Sequence, residues 1–259
     1  MAGYRLLRLV LHFFAALLVC VTVFPLLNTG SRNRYVQRWS AGLLSACGVS
    51  VRVSRLHELA PNALVVANHL SWLDIYLINS LSPCRFIAKA DIRNWPLIGW
   101  LSRMGGTVFI ERGKQRDLRK TLQSLAAHLH GGERFAFFPE GTTAAQGRLL
   151  PFHANLFEAA INARIPIQPY ALRYVDADER PHAGIDFSGD TTFFQSVCAV
   201  LRARQITAEL IVLPPLESAG MHRRELAHAA RKAVAQALGA DTSADCSASG
   251  PAGAQTEAA

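Results

Sequence analysis

The chain opens with an apolar run, Leu6 to Leu27 (LLRLVLHFFAALLVCVTVFPLL), whose only charge is Arg8, with His12 four residues on. As a helix, 22 residues at 1.5 Å each reach about 33 Å, enough for the hydrocarbon core of a bilayer. Arg8 and His12 lie near its start, where long polar side chains can reach the headgroups. PLLNTGSRNR follows in place of a small-x-small cleavage pattern, so an uncleaved anchor is expected rather than a secretory signal. Residues 31–47 then place Tyr35, Val36, Trp39, Leu43 and Leu44 at helical spacing. This predicts an amphipathic partner helix, and the pair either spans the membrane or dips into one leaflet.

Beyond residue 48 the pattern changes. Val49 to Val53 alternates like a half-buried strand, Pro61-Asn62 marks a turn, and ALVVA (63–67) reads as a strand buried on both faces. A helix is expected from near Ser71, strands over 84–88 and 107–110, a helix from Arg116 to His130 ended by Gly131-Gly132, and a strand over 134–138 closed by Pro139. Helix 152–163, strand 165–172, a polar loop to about 190, helix 191–204, strand 208–213 and helix 221–238 complete the series. Strands alternating with helices predict an α/β fold, a layered mixed sheet flanked by helices, behind an N-terminal membrane helix. The expected organisation is an anchor and amphipathic helix over 1–48, an α/β domain over 49–239 and a disordered tail over 240–259, which is small and polar.

Composition narrows the class. With 259 residues, half of them hydrophobic and 18% charged, the chain is too apolar to be disordered and long enough for a substantial core. Five cysteines, widely spread and without a Cys-x-x-Cys pair, support neither a disulfide framework nor a zinc knuckle. The net charge of +8 is uneven: residues 1–60 carry +6, residues 85–120 carry +6, residues 121–239 balance and the tail is acidic. Next to an apolar anchor, this excess fits anionic headgroups and an anionic substrate. Nucleic acid is not expected, because the basic segment has few aromatics suited to base stacking. Arg5 and Arg8 precede the apolar run while Arg32, Arg34 and Arg38 follow it, a small bias towards a cytoplasmic body at the inner membrane.

Candidate chemistry begins at Asn68-His69-Leu70-Ser71-Trp72-Leu73-Asp74, directly after the buried strand. On one continuous helix His69 and Asp74 would lie about 140° apart. They can meet if His69 occupies the strand-to-helix turn and Asp74 the first turns of the helix. A carboxylate beside a neutral imidazole fixes its tautomer and stabilises the imidazolium that forms when the other nitrogen takes a proton, which makes a general-base pair. Ser71 is a potential nucleophile or a helix cap. A second polar block, Phe138-Pro139-Glu140-Gly141-Thr142-Thr143, also follows a buried strand, where α/β sheets gather their ligand sites. Gly105 to Arg112 and Ile165-Pro166-Ile167-Gln168-Pro169 are third and fourth candidates. Taken singly, each block also reads as a turn or a cap. Footprints of dinucleotide, NTP, zincin and nucleophile-elbow sites are absent from the sequence.

In this order the four blocks closely resemble the lysophospholipid acyltransferase family, which includes the 1-acylglycerol-3-phosphate acyltransferases. The resemblance runs from about Ala63 to Pro169 and implies a glycerolphosphate acyltransferase-like fold. It implies that His69 deprotonates an acceptor hydroxyl and that Asp74 orients it. Arg112, Glu140, Gly141 and Thr142, with Lys89, would bind the acceptor, and Ile165 and Pro166 would border the acyl-donor site. The donor would be acyl-carrier protein or a coenzyme A thioester, with no metal and no further cofactor, and the acceptor a single-chain membrane lipid. Thr143 stands where many relatives have Arg or Ser, and His153-Ala154-Asn155 where Lys-x-Gly is common, so basic contacts to a phosphate are thinned. A lyso-ornithine lipid therefore competes with lysophosphatidic acid as acceptor. Two other classes fit parts of the pattern: a lipid hydrolase using Ser71 with the same pair, and a basic membrane adaptor without activity.

Overall fold

The computed structural model describes residues 1–94, 98–110, 115–187, 189 and 191–240. The apolar run forms α1 (Ala2–Thr22), a 3-10 turn at Phe24–Leu26 containing Pro25 redirects the chain, and α2 (Thr29–Cys47) returns beside it. The Asn28 side chain accepts the Ser31 N–H to start α2, and Gly48, at φ +76°, ends it in the left-handed conformation that glycine adopts without strain. The α/β layer follows as β1 (Val49–Arg55), β2 (Leu64–Ala67), α3 (Leu73–Leu81), β3 (Arg85–Lys89), α4 (Ile98–Met104) and β4 (Val108–Ile110). It continues through α5 (Gln115–His130), β5 (Phe135–Phe137), α6 (Phe157–Ala163), β6 (Ile167–Val175), α7 (Phe193–Arg202), β7 (Ile206–Val212) and α8 (Arg223–Leu238).

The seven strands form one mixed sheet in the order β1-β7-β6-β2-β5-β3-β4. β2 to β6 run parallel, β7 runs antiparallel to β6, and β1 is parallel to β7. The C-terminal ends of β2 to β6 therefore share one edge. Side-chain alternation divides the core. Leu64 and Val66 of β2 join Phe135, Phe137 and Ile167 against α5, α6 and α8. Val65 and Ala67 face the other way, with Ala136, Tyr170, Leu172 and Tyr174, against α2, α3 and α7. Because β2 is covered on both faces, it reads as an unbroken apolar run rather than an alternating one.

Within the α/β layer two boundaries differ from the sequence expectation by more than two residues, and one helix is new. The segment expected as helix from residue 152 holds His153 extended, with its N–H on the Pro139 carbonyl, so α6 begins only at Phe157 after a 3-10 turn. β6 continues past residue 172 to Val175, because Arg173, Tyr174 and Val175 stay in register with β7. α4 was not anticipated. The acidic tail beyond residue 240 lies outside the described residues.

Candidate active site

The site forms at the edge where β2 and β5 end. Asn68, the first residue past β2, is buried, and its amide grips β6 twice: Nδ2 donates to the Leu172 carbonyl (2.9 Å) and Oδ1 accepts the Leu172 N–H (2.8 Å). This fixes the direction in which the chain leaves the sheet. His69 follows in the turn and α3 starts at Leu73, so the imidazole and the Asp74 carboxylate converge, with His69 Nδ1 2.8 Å from Asp74 Oδ2. A carboxylate only accepts, so Nδ1 carries the proton and Nε2 holds the lone pair. Nε2 has no hydrogen-bond partner among the described residues. The ring stacks on Phe138 at 3.9 Å between centroids, and the His69 side chain is 19% exposed while that of Asp74 is fully enclosed.

Asp74 is surrounded by donors. Besides His69, Oδ2 accepts the N–H groups of Leu70 (2.7 Å) and Ser71 (2.9 Å), and Oδ1 accepts the hydroxyl of Tyr174 on β6 (2.7 Å). The carboxylate thus ties the turn together as well as meeting the imidazole. Ser71 is buried, and its Oγ makes a long 3.5 Å contact with the Leu73 N–H, a weak version of the expected cap.

The second polar block closes round the same turn. Glu140 is 4% exposed; its Oε1 accepts the His69 N–H (2.7 Å) and its Oε2 the Leu150 N–H (2.9 Å). Ala144 N–H donates to the His69 carbonyl (2.8 Å), so this loop holds both backbone polar groups of His69. Burial pushes the Glu140 carboxyl up to about 7, against the opposing pull of its two N–H donors, and the nearby Asp74 charge adds to the rise. Gly141 turns the loop at φ +70°, Thr142 is exposed, and the Thr143 hydroxyl donates to the Phe187 carbonyl.

The other expected site residues distribute differently. Lys89 ends β3 at the same edge, paired with Ile110, and its side chain lies outside the described residues, as does the whole of Arg112. Ile165 and Pro166 sit at the opposite end of the sheet, where Leu64 N–H donates to the Pro166 carbonyl. Three strand residues, roughly 10 Å, separate Leu64 from Ala67 and the site beyond it. The structure therefore does not bring Ile165 and Pro166 to His69. Among the described residues no cluster of three His, Cys, Asp or Glu side chains could hold a metal ion.

A family model described as Acyltransferase matches residues 50–173, which contain His69, Asp74 and Glu140. The chain is 40% identical over 210 residues to the lyso-ornithine lipid O-acyltransferase of Pseudomonas aeruginosa, covering 81% of this chain and 80% of that protein. The chain belongs to the acyltransferase family. A second relative of this acyltransferase is the 1-acyl-sn-glycerol-3-phosphate acyltransferase of Neisseria meningitidis, 42% identical over 147 residues, of whose length the chain spans 58% and which covers 56% of this chain. The fold matches the crystal structure of the 1-acyl-sn-glycerophosphate (LPA) acyltransferase PlsC from Thermotoga maritima with a TM-score of 0.64, covering 92% of this chain and 97% of that one at 21% identity. Family membership makes the acyltransferase an enzyme and sets aside the inactive adaptor. Tyr174 lies one residue beyond the matched segment, and the sequence blocks gave no reason to single it out.

Proposed function

We propose that this acyltransferase moves a fatty acyl chain from an acyl-carrier protein or coenzyme A thioester to the free hydroxyl of a lysolipid. The observation that carries the reading is the His69–Asp74 contact, which leaves Nε2 as the basic nitrogen at a partly open position. His69 Nε2 takes the hydroxyl proton as the acceptor oxygen attacks the thioester carbonyl. The C–S bond breaks, and the imidazolium returns its proton to the departing thiolate. A thioester is already activated, so no acyl-enzyme is needed. Burial of Ser71 argues against the hydrolase alternative.

Glu140 acts in this reading by holding the turn that presents His69. Gly141 and the exposed Thr142 border the acceptor headgroup, together with Lys89 and Arg112. Lyso-ornithine lipid and 1-acylglycerol-3-phosphate are the acceptors to compare. The longer match to a lyso-ornithine lipid enzyme, and the commitment of the Thr143 hydroxyl to a backbone carbonyl, favour the first. We further propose that α1 lies in one leaflet rather than crossing it. Its first half is hydrogen-bonded to the body, Arg5 to the Leu201 and Ala203 carbonyls, Arg8 to Ser45 and His12 to the Trp39 carbonyl, and Ala16 and Cys20 are buried further along. The opposite face, with Leu7, Leu11, Phe14, Leu18 and Val21, is exposed and apolar, as an interfacial helix requires.

The test is purified full-length protein with one acyl thioester and each lysolipid in turn. His69→Ala should lower turnover roughly 10²–10⁴-fold, the usual share of general-base catalysis. Undiminished transfer by the folded variant would remove His69 from the mechanism, and failure with every lysolipid would remove the acceptor class.

A further inference from the structure

Tyr174 is fully enclosed on β6, a hundred residues from Asp74 in sequence, and its hydroxyl donates to Asp74 Oδ1 at 2.7 Å. Around the carboxylate the four donors divide the work. Leu70, Ser71 and His69 all converge on Oδ2, and Tyr174 is the one donor to Oδ1 among the described residues. Without it Oδ1 would be buried and unpaired, and the carboxylate would be free to turn about its Cβ–Cγ bond and share both oxygens with the turn. The tyrosine is itself held firmly: its N–H donates to Gln146 Oε1 (2.8 Å), and Gln146 belongs to the loop that follows Glu140 and grips His69. β6 therefore reaches the site through two adjacent inward positions, Leu172 to Asn68 and Tyr174 to Asp74.

We propose that Tyr174 is a positioning residue of the acyl transfer: its hydroxyl fixes the Asp74 carboxylate and limits the negative charge that His69 meets. The titratable groups facing Asp74 are His69 in the same turn, Tyr174 from β6 and Glu140 from the loop after β5. Burial and the Asp74 charge hold the Tyr174 phenol well above its usual range, so it remains a donor throughout the working pH range. A phenol that donates to a carboxylate draws off part of its charge. Removing it leaves Asp74 more negative towards the imidazole, which then holds its proton more tightly and becomes free base only at higher pH.

This inference rests on His69 being the base, and the experiment separates the two. In the full chain, Tyr174→Phe should lower kcat roughly tenfold, the scale of one charged hydrogen bond, with little change in acceptor KM. The acid limb of its kcat/KM profile should move to higher pH by about half a unit or more. Tyr170→Phe is the comparison: Tyr170 lies on the same face of β6, is equally buried and meets Arg134 instead. It should leave the limb in place. A second variant, Tyr174→3-fluorotyrosine, keeps the shape and strengthens the donor, and should move the limb to lower pH. It also serves if Tyr174→Phe does not fold. A limb that stays put in the folded Tyr174 variants, while His69→Ala is inactive, overturns the role of Tyr174 alone. Activity in His69→Ala overturns the underlying mechanism.

Discussion

Glu140 is a buried carboxylate committed to the backbone around His69. Both its oxygens are occupied by backbone N–H groups, one from His69 and one from Leu150, so the side chain joins the turn that carries His69 to the loop that closes over it. Its carboxyl stands at about 7, raised from an ordinary 4.5 by burial. The sign of the pH effect follows from that. Between pH 4.5 and 7 the native protein keeps a proton that the unfolded chain has released, so stability falls as pH rises through this window and levels off above it. The full effect is at most about 3 kcal/mol, at 1.36 kcal/mol per unit. Glu140→Gln does not titrate, and its melting temperature should therefore lack this part of the pH slope. Gln also offers an NH2 where one backbone N–H needs an acceptor, adding a constant loss of about 1–3 kcal/mol. Parallel pH slopes for the two proteins would show that Glu140 ionises as it does in the unfolded chain.

At the level of elements, the clamp between β2 and β6 decides where the turn begins. Asn68→Ala leaves the Leu172 N–H and carbonyl buried without their partner, at a cost of about 2–4 kcal/mol. Asn68→Asp should do no better, because its second oxygen would face the Leu172 carbonyl. Denaturation midpoints for both variants check this, and a stable Asn68→Asp protein would mean that the donor half of the clamp is dispensable. Much of this layer was legible in the sequence. The alternation of strand and helix, the burial of 63–67 on both faces and the meeting of His69 with Asp74 across a turn all follow from period and spacing. Strand order did not, since nothing local states which crossovers place β6 beside β2. Nor did the inward aim of Glu140, as a polar residue after a strand looks the same whether it faces solvent or backbone. Tyr174 was hidden for a related reason. The alternation Tyr170, Leu172, Tyr174 continues the strand, but Arg173 and Asp176 make the segment read as a polar loop.

Across the whole molecule, the apolar N-terminal helix pair and the site share one side of the sheet. α2 carries Gln37, whose amide donates to the Ser80 and Leu81 carbonyls at the end of α3, and Trp39, which packs edge-on to Tyr76 of α3. Tyr76 in turn meets Trp72, three residues from His69. The hairpin of α1 and α2 is therefore built onto the helix that bears Asp74. If α1 lies in one leaflet, charge placed on its outer face should weaken membrane binding while sparing the fold. Leu11 and Leu18 are 59% and 65% exposed, so Leu11→Glu with Leu18→Glu removes no core packing and should leave the melting temperature in detergent unchanged. Each lost leucine forfeits about 1.5–3 kcal/mol of burial in the acyl region, so co-sedimentation with phosphatidylglycerol-containing vesicles should fall by roughly a hundredfold or more. Transfer to a lysolipid presented in detergent micelles should survive, because the His69 turn is untouched. Undiminished vesicle binding would mean that α1 is not the membrane contact, and the basic residues flanking it would then have to carry attachment alone, with the steep salt dependence that screening imposes.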